Sequence, residues 1–278
     1  MLIATEVLQR HLSDPRWIVF DCRHDLMDHA RGARLYAENH MPGAFFAPVE
    51  TALSGAKTGT NGRHPLPAPD DFADFLRRHG VTADTQILAY DDVGGQYAAR
   101  LWWLARWIGH MNVAVLDGGL PKWLAEGHPF TTALPAVREA GTITARPDMT
   151  MVRTSAEVGE GLKRATCLVV DARAPERYRG EAEPIDKVAG RIPGAVNRFF
   201  KLNLKADLTF RPAQELRAEF ATLLGGRPPG DVVHQCGSGV TACVNLLAME
   251  HAGLSGSTLY AGSWSEWIAD PARPVARG

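Results

Sequence analysis

WIVFDCR, at residues 17–23, returns as CLVVDAR at residues 167–173. Two more blocks recur in the same order: MPGA at 41–44 with IPGA at 192–195, and LDGGLPKW at 116–123 with YAGSWSEW at 260–267. The members of each pair lie about 150 residues apart, as expected of a tandem duplication with small loop deletions. The repeat therefore predicts two copies of one domain.

The length of the chain fits this duplication. The chain has 278 residues, and a typical domain has about 150. Residues 131–150 include Pro135 and Pro147 and show no hydrophobic periodicity, which is typical of a linker. We therefore expect a first domain at residues 1–130, a linker at 131–150 and a second domain at 151–278.

Each copy alternates short apolar runs with helical patterns. Residues 18–20 and 168–170 are continuously apolar, which is typical of strands buried on both faces of a parallel sheet. Phe72, Phe75 and Leu76 follow at helical spacing, and the second copy repeats this pattern. The succession predicts an α/β fold, in which each domain is an open, mostly parallel sheet with helices on both faces.

The composition excludes several classes of protein. Thirty basic residues against 31 acidic ones leave a net charge of −1, so neither a nucleic-acid surface nor a polybasic membrane anchor is expected. Arg106 interrupts the longest aromatic stretch, so no membrane-spanning segment is expected. The N-terminus lacks a secretion signal, and four cysteines are too few for a disulfide scaffold. We expect a cytoplasmic protein with reduced thiols.

The second copy contains a glycine-rich cysteine loop, QCGSGVTAC at residues 235–243. It follows a predicted strand and precedes a predicted helix, the position at which open α/β sheets bind ligands. Gly237 and Gly239 allow successive N–H groups to turn inward, and the helix N-terminus adds a positive field. Cysteines in such a setting ionise readily, so Cys236 is predicted to be a nucleophile.

The first copy and the remaining cysteines provide internal comparisons. Asp91 occupies in the first copy the position that Cys236 has in the second, so the first domain is predicted to be inactive. Cys22, Cys167 and Cys243 lie in or beside predicted strands and helices and are expected to be small core residues. A buried structural role of this kind is the alternative for Cys236 as well.

Two other uses of the cysteine loop conflict with the residues around it. Phosphatases of the Cys-x5-Arg type need a guanidinium group to hold the phosphoryl group, and this chain has Ala242 at that position. A zinc site built on His234 and Cys236 lacks a second pair of ligands at suitable spacing, so His234 is expected to be a packed strand residue. We expect no metal ion and no organic cofactor.

CGSGVT, at residues 236–241, resembles the active loop of the 3-mercaptopyruvate sulfurtransferases in the rhodanese superfamily. The tandem repeat with Asp91 in the first copy is also similar to that family. The resemblance implies that Cys236 takes a sulfur from a donor, holds it as a persulfide and passes it to thioredoxin, another thiol or cyanide. Backbone N–H groups suit such an anion. The residues implied to form the cradle are Gly237, Ser238, Gly239, Val240 and Thr241.

The two positions after the cysteine bear on the identity of the donor. Thiosulfate-using rhodaneses typically carry cationic side chains there, whereas this chain has Gly237 and Ser238. The resemblance therefore favours 3-mercaptopyruvate, with Ser238 hydrogen-bonded to the thiol or the carbonyl group of the donor. A thiosulfate sulfurtransferase and a sulfur-relay binding module with little free turnover are the alternatives.

The same resemblance implies anchors for the donor. An arginine near the loop is expected to bind the carboxylate, and Arg177 in the segment ERYRG matches the family position. Ile185 stands where many relatives have a second arginine. Arg191 or Arg63 is predicted to replace it.

Two further residues are assigned by analogy. Trp264 is predicted either to form part of the pocket wall or to pack in a core. Relatives carry a carboxylate that assists the loop serine, and Glu50 is the candidate for it here, although its register in the sequence is shifted.

Overall fold

The computed structural model describes residues 1–278, and their contacts divide the chain into two compact units. The first unit comprises Met1–Gly55, Pro67–Asp148 and Lys205–Phe210, and the second comprises Ala56–Leu66, Met149–Leu204 and Arg211–Gly278. The units differ from the predicted ranges at two segments. Residues 56–66 fold with the second unit, and residues 205–210 fold with the first. Most of the predicted linker, up to Asp148, groups with the first unit.

The first unit contains a five-stranded parallel sheet. Its strands are β1 (Leu2–Ile3), β2 (Trp17–Asp21), β3 (Phe45–Phe46), β4 (Gln86–Tyr90) and β5 (Val113–Leu116). Its helices are α1 (Thr5–His11), α2 (Arg31–Glu38), α3 (Pro69–Arg78), α4 (Ala98–Trp107) and α5 (Gly119–Ala125). The strand order is β1-β5-β4-β2-β3, and every neighbouring pair is parallel.

The second unit contains a four-stranded parallel sheet. Its strands are β6 (Leu168–Asp171), β7 (Val196–Asn197), β8 (Val232–Gln235) and β9 (Thr258–Leu259), in the order β7-β6-β8-β9. Its α-helices are α6 (Ser155–Lys163), α7 (Pro175–Arg179), α8 (Ala213–Leu224), α9 (Ala242–His251) and α10 (Ser263–Trp267). Short 3-10 turns lie at Met149–Met151, Phe200–Asn203 and Pro229–Asp231.

Burial explains why the apolar runs form strands. Ile18, Val19 and Phe20 of β2 are all nearly inaccessible to solvent, as are residues 87–90 of β4 and all of β8. Helix α4 packs on β4 and β5, and α9 packs on β8 and β9, with both helices buried almost throughout. The predicted α/β class with parallel sheets is therefore confirmed. None of the helices combines the length and the apolar character that crossing a bilayer requires.

The central strands of the two sheets lead to equivalent loops. Strand β4 lies between β2 and β5, and β8 lies between β6 and β9. Each of these strands runs into a loop that is followed by a buried helix, α4 or α9. Ligands of open parallel sheets bind at the carboxyl ends of strands, so these two loops are the positions to compare.

Candidate active site

Cys236 is the first residue of the loop that follows β8. Its side chain is 2% exposed, and its Sγ accepts a hydrogen bond from the Gly239 N–H at 3.1 Å. Gly239 has a φ of +77°, and a Cβ there would lie 2.2 Å from the carbonyl oxygen of Ala261. Only glycine fits at this position, and the tight turn is what aims an N–H group at the sulfur.

The cysteine loop is tied to the beginning of α10. The Cys236 N–H donates to Ser263 Oγ at 3.1 Å, and the Cys236 carbonyl accepts from the Trp264 N–H at 3.0 Å. The Gly237 carbonyl accepts from the Ser265 N–H at 3.0 Å. Because both sides of the loop backbone are held, the position of the thiol is fixed by the fold.

Two guanidinium groups lie against Gly237. A Cβ on this glycine would lie 2.7 Å from Nη2 of Arg63 and 3.6 Å from Nη2 of Arg177. Asp186 bridges the two arginines, with Oδ1 at 3.0 Å from Arg63 Nη1 and Oδ2 at 3.0 Å from Arg177 Nη2. Glu183 Oε1 accepts from the same Nη2 of Arg177 at 2.6 Å and from its Nε at 3.1 Å. The structure therefore brings Arg63 and Arg177 together beside the cysteine loop.

The pKa values of the two acids in this cluster are shifted in opposite directions. Burial raises the pKa of Asp186 above its ordinary value, against the opposing charge of Arg63. Burial also disfavours the charge of Glu183, but the hydrogen bond from Arg177 holds its pKa below the ordinary value. Asp186 is therefore the acid that gives up its negative charge more easily. Its protonation would leave more positive charge at the loop for an anionic ligand.

Ser238, in the same loop, forms a buried pair with His64. The distance from Ser238 Oγ to His64 Nδ1 is 2.7 Å, and the two residues are 4% and 3% exposed. His64 received no role from the sequence, although it directly follows Arg63. The pair can hold the hydroxyl in one orientation and exchange a proton with it. Nothing in the local sequence reports this contact, which joins residues 174 positions apart.

The other predicted site residues have different surroundings. Arg191 stacks on the Tyr178 ring at 4.7 Å and donates to the carbonyl of Gly278. Trp264 is fully buried, and its Nε1–H donates to the Val188 carbonyl at 2.9 Å, which fits the packing alternative for this residue. Val240 is buried and Thr241 is partly exposed just before α9. The assistance of Ser238 by Glu50 stays a prediction.

Cys22, Cys243 and His234 are buried core residues, as predicted, whereas Cys167 is only partly buried at the edge of the second core. Burial raises the pKa of the Cys22 thiol far above its usual range and raises that of Cys167 to a smaller extent. Cys243 is fully buried in α9 with its Sγ 3.4 Å from the Gly239 carbonyl. His234 is also fully buried, and burial lowers its pKa to about 3. Its Nε2 lies 3.1 Å from the Met249 sulfur.

The equivalent loop of the first unit closes around Asp91 instead of a cysteine. Asp91 directly follows β4, is 1% exposed, and uses both carboxylate oxygens as acceptors. The N–H donors are those of Val93 at 3.0 Å, Gly95 at 2.8 Å, Tyr97 at 2.7 Å and Ala98 at 3.0 Å. Burial raises the pKa of this carboxyl, and the four N–H groups act against that shift. The first unit thus offers a carboxylate where the second offers a thiol.

Comparison with known proteins identifies the fold family. The Rhodanese-like domain family matches residues 4–126 and again residues 154–270. The chain belongs to the rhodanese-like family. Among its relatives is a probable 3-mercaptopyruvate sulfurtransferase of Pseudomonas aeruginosa, which is 47% identical over 279 residues, with 100% of this chain and 98% of that protein covered. A putative thiosulfate sulfurtransferase, SseB of Mycobacterium tuberculosis, is 38% identical, with 91% and 88% covered.

A solved rhodanese-like structure supports the same assignment. The crystal structure of SseA from Escherichia coli, described as a 3-mercaptopyruvate sulfotransferase, matches this chain with a TM-score of 0.81. The two chains are 30% identical, and the match covers 95% of this chain and 98% of SseA. The family resemblance and the tandem rhodanese-like fold predicted from the sequence are therefore confirmed.

Proposed function

We propose that this protein is a 3-mercaptopyruvate sulfurtransferase that carries the transferred sulfur as a persulfide on Cys236. The observation that carries the proposal is the position of the Cys236 thiol, in a glycine-rich loop with two guanidinium groups against it. The relatives support the class of reaction, because those reported above are named as sulfurtransferases that use mercaptopyruvate or thiosulfate. The donor class is thus a small sulfur compound.

The donor carboxylate is the group that the two arginines would bind. Guanidinium groups of Arg63 and Arg177 can donate N–H hydrogen bonds to a carboxylate. In Arg177, Nε and Nη2 already donate to Glu183 and Asp186, which leaves Nη1 for the donor. In this arrangement Arg63 serves as the second donor-binding arginine, because this chain has Ile185 at the position where many relatives have that arginine. Asp186 shares both guanidinium groups in the free protein, so the donor enters a site whose positive charge is already partly balanced.

The first half of the reaction transfers sulfur to the protein. The Cys236 thiolate attacks the sulfur of 3-mercaptopyruvate, an S–S bond forms and the C–S bond breaks. The electron pair of the C–S bond moves into the adjacent carbonyl group, which gives the enolate of pyruvate. Protonation of the enolate yields pyruvate, and the protein keeps the outer sulfur as a persulfide.

The loop residues would support this step in two ways. The Ser238 hydroxyl, held by His64, is positioned to donate to the carbonyl oxygen on which charge develops. The backbone N–H groups of residues 237–241 would stabilise the persulfide anion, as the Gly239 N–H does for the thiol in the free protein.

The second half of the cycle returns the thiol to its starting state. A thiol acceptor such as thioredoxin, or cyanide, attacks the outer sulfur, and the Cys236 thiolate leaves, as in thiol–disulfide exchange. The cycle needs a reduced cysteine, and cysteines stay reduced in the cytoplasm. We therefore propose a cytoplasmic location for the protein.

Thiosulfate is the second candidate donor, and one observation favours it. Gly237 and Ser238 carry no charge, yet Arg63 and Arg177 bring two guanidinium groups to the same loop from other parts of the second unit. A sulfonate group can bind to such a pair as a carboxylate does. Thiosulfate-using relatives carry positive charge on side chains within the loop. Here Arg63 and Arg177 supply part of that positive charge from outside the loop.

The two repeats are proposed to differ in role. The first domain, assigned to residues 1–130, would be a non-catalytic copy because Asp91 cannot perform thiol chemistry. The second domain, at residues 151–278, would carry the catalytic thiol and Arg177. Arg63 and His64 would complete the site from the segment 56–66, which folds with the second unit.

The deciding experiment compares kcat/KM for 3-mercaptopyruvate and thiosulfate with the same acceptor. A higher value for 3-mercaptopyruvate, together with one added sulfur on Cys236 by intact mass spectrometry, is the expected result. A higher value for thiosulfate would reverse the order of the two donors. Inactivity with both donors, combined with tight binding to a sulfur-relay protein, would instead support the binding-module alternative.

A further inference from the structure

Three potential metal ligands meet in the first unit. Nε2 of His24 lies 3.6 Å from Oε1 of Glu50, and Nε2 of His29 lies 3.7 Å from the same oxygen. All three donor atoms lie within 4.8 Å of one another. The proposed sulfur-transfer cycle gives no role to the two histidines.

The structure fixes the first of these ligands firmly. His24 follows β2 and is 6% exposed, and its ring meets the Tyr97 ring edge-on with the centroids 5.1 Å apart. The residue before it is held by the buried ion pair of Arg23 with Asp21. His24 therefore presents its imidazole from a rigid position.

The other two ligands come from short ordered turns. The turn before His29 is held by Asp25, whose carboxylate accepts the N–H groups of Met27 at 2.8 Å and Asp28 at 3.2 Å. Glu50 lies in a turn after β3 that is closed by a hydrogen bond between Pro48 and Ala52. The side chain of His29 is 54% exposed, so it can move toward an ion without disturbing the core.

We propose that His24, His29 and Glu50 form a zinc-binding site. Two imidazole nitrogens and one carboxylate oxygen are a ligand set that suits Zn²⁺, with water in the fourth position. Tetrahedral zinc with bonds of about 2.0–2.1 Å needs donor atoms about 3.4 Å apart. The Glu50 oxygen is already near that distance from both imidazoles, and a small movement of His29 completes the geometry.

A second histidine–glutamate pair in the same unit provides a matched control. Nε2 of His128 lies 3.3 Å from Oε2 of Glu126, a contact as close as those in the proposed site. It has no third ligand from histidine, cysteine or an acid within reach, since the cluster at His24 is the one group of three in the chain. Zinc binding that depends on His29 but not on His128 would require the three-ligand arrangement.

Zinc binding should also stabilise the first unit. The ion would join the turn before α2 to the turn after β3, and a ligand that binds only the folded state raises the free energy of unfolding. The effect gives a second measurement that does not depend on sulfur transfer.

The test uses Zn²⁺ itself, titrated calorimetrically into the Cys236→Ser protein so that the reactive thiol does not compete for the ion. We expect one zinc ion per chain and a rise in Tm with added zinc. Loss of a second-sphere group alone costs about 10–100-fold in metal affinity, so His29→Ala is expected to weaken binding by about a hundredfold or more. His128→Ala should bind zinc as the parent does.

Cobalt supplies the spectroscopic readout for the same site. Co²⁺ in place of zinc should give the visible bands of a tetrahedral or five-coordinate ion, without a thiolate charge-transfer band, and Glu50→Gln should weaken them. Absence of zinc binding by the parent would overturn the proposal. So would unchanged affinity in His29→Ala, or an equal loss in His128→Ala.

Discussion

The loop after β4 and the loop after β8 are built alike but hold different groups. In the first unit, four N–H groups converge on the carboxylate of Asp91. In the second, the Gly239 N–H donates to the sulfur of Cys236. The same strand–loop–helix arrangement turns backbone N–H groups toward the side chain at the first loop position in both units. The first unit places a carboxylate at that position, whereas the second places a thiol there, the group that the proposed function makes the nucleophile.

One difference in the segments that support the two loops affects the loop backbone directly. Gly119, at the beginning of α5, has a φ of +58°, and a Cβ there would lie 2.3 Å from the Asp91 carbonyl oxygen. The equivalent residue in the second unit is Ser263, which adopts a φ of +53° despite having a side chain. A non-glycine residue in this region is strained by about 1–3 kcal/mol. In return, the Ser263 hydroxyl accepts the Cys236 N–H.

The comparison teaches that the loop fold alone does not give activity. Asp91 satisfies its loop with fixed internal hydrogen bonds and leaves no reactive atom. Cys236 is accompanied by the guanidinium groups of Arg63 and Arg177 and by the Ser238–His64 pair. The chemistry depends on what surrounds the loop as well as on the residue at its first position.

The largest effect is expected from removing the thiol. Cys236→Ser should lower sulfur transfer by more than about a thousandfold, because a hydroxyl is not a comparable nucleophile near neutral pH. Steady-state assays with 3-mercaptopyruvate and intact mass spectrometry measure the turnover and the added sulfur. Cys167→Ser is the control and should retain both. A persulfide on any other cysteine would contradict the assignment.

The second effect concerns the stability of the first unit. Asp91→Ala leaves four N–H groups without their acceptor, so we expect a loss of about 3 kcal/mol or more in the free energy of unfolding. Urea unfolding followed by circular dichroism measures the change. Asp92→Ala, a substitution at the next, partly exposed residue, should cost well under half as much. Similar costs at the two positions would show that Asp91 does not organise its loop.

The third effect tests the arginines that lie beside the second loop. Arg177→Ala should reduce kcat/KM for 3-mercaptopyruvate about ten- to hundredfold, the equivalent of losing a charge-assisted hydrogen bond of roughly 1.5–3 kcal/mol. The matched control is Arg179→Ala on the same helix, where the side chain pairs with Glu181 at the surface. If both variants keep wild-type kinetics, the anchor for the donor lies elsewhere.

The smallest effect is a pH dependence of stability that arises in β8 but not in β4. His234 in β8 aligns with Ala89 in β4, and burial lowers the pKa of His234 to about 3. The unfolded chain takes up a proton on this residue near pH 6.5 but the folded protein does not, so stability falls with pH below about 6.5 by roughly 1.4 kcal/mol per pH unit. This loss continues until the pH approaches the folded pKa.

Unfolding experiments at pH 7 and pH 5.5 check this pH dependence. The His234→Gln protein should lose less stability between the two pH values than the wild-type protein, since glutamine does not titrate. An identical pH dependence in both proteins would mean that His234 is protonated in the folded state.

The sequence predicted the features that depend on local pattern. The apolar runs around Ile18 and Val169 indicate corresponding strands in the two units, and the aligned sequence patterns place Asp91 at the position of Cys236. Arg177 was found because it lies in a short segment similar to the family. In each case the informative residues are neighbours in the chain.

The parts that the sequence did not predict depend on long-range packing. Residues 56–66 have no periodicity that would reveal their place in the second unit, so the contact of His64 with Ser238 could not be foreseen. The sequence allowed either Arg63 or Arg191 as the second arginine near the loop, and only the fold brings Arg63 against Gly237. The bridging role of Asp186 follows from that same packing.

Residues 56–66 belong to the first repeat in the sequence but fold with the second unit. This placement affects which deletions the duplicated protein can tolerate during evolution. A shortened gene encoding only residues 149–278 would retain Cys236 but would lose Arg63 and His64, two of the side chains gathered at its loop. The copy with Asp91 at the loop position therefore cannot be deleted without removing residues that lie at the cysteine loop. Its coding sequence includes Arg63 and His64, which the proposed function places at the reactive centre, so selection for sulfur transfer would act on both halves of the gene.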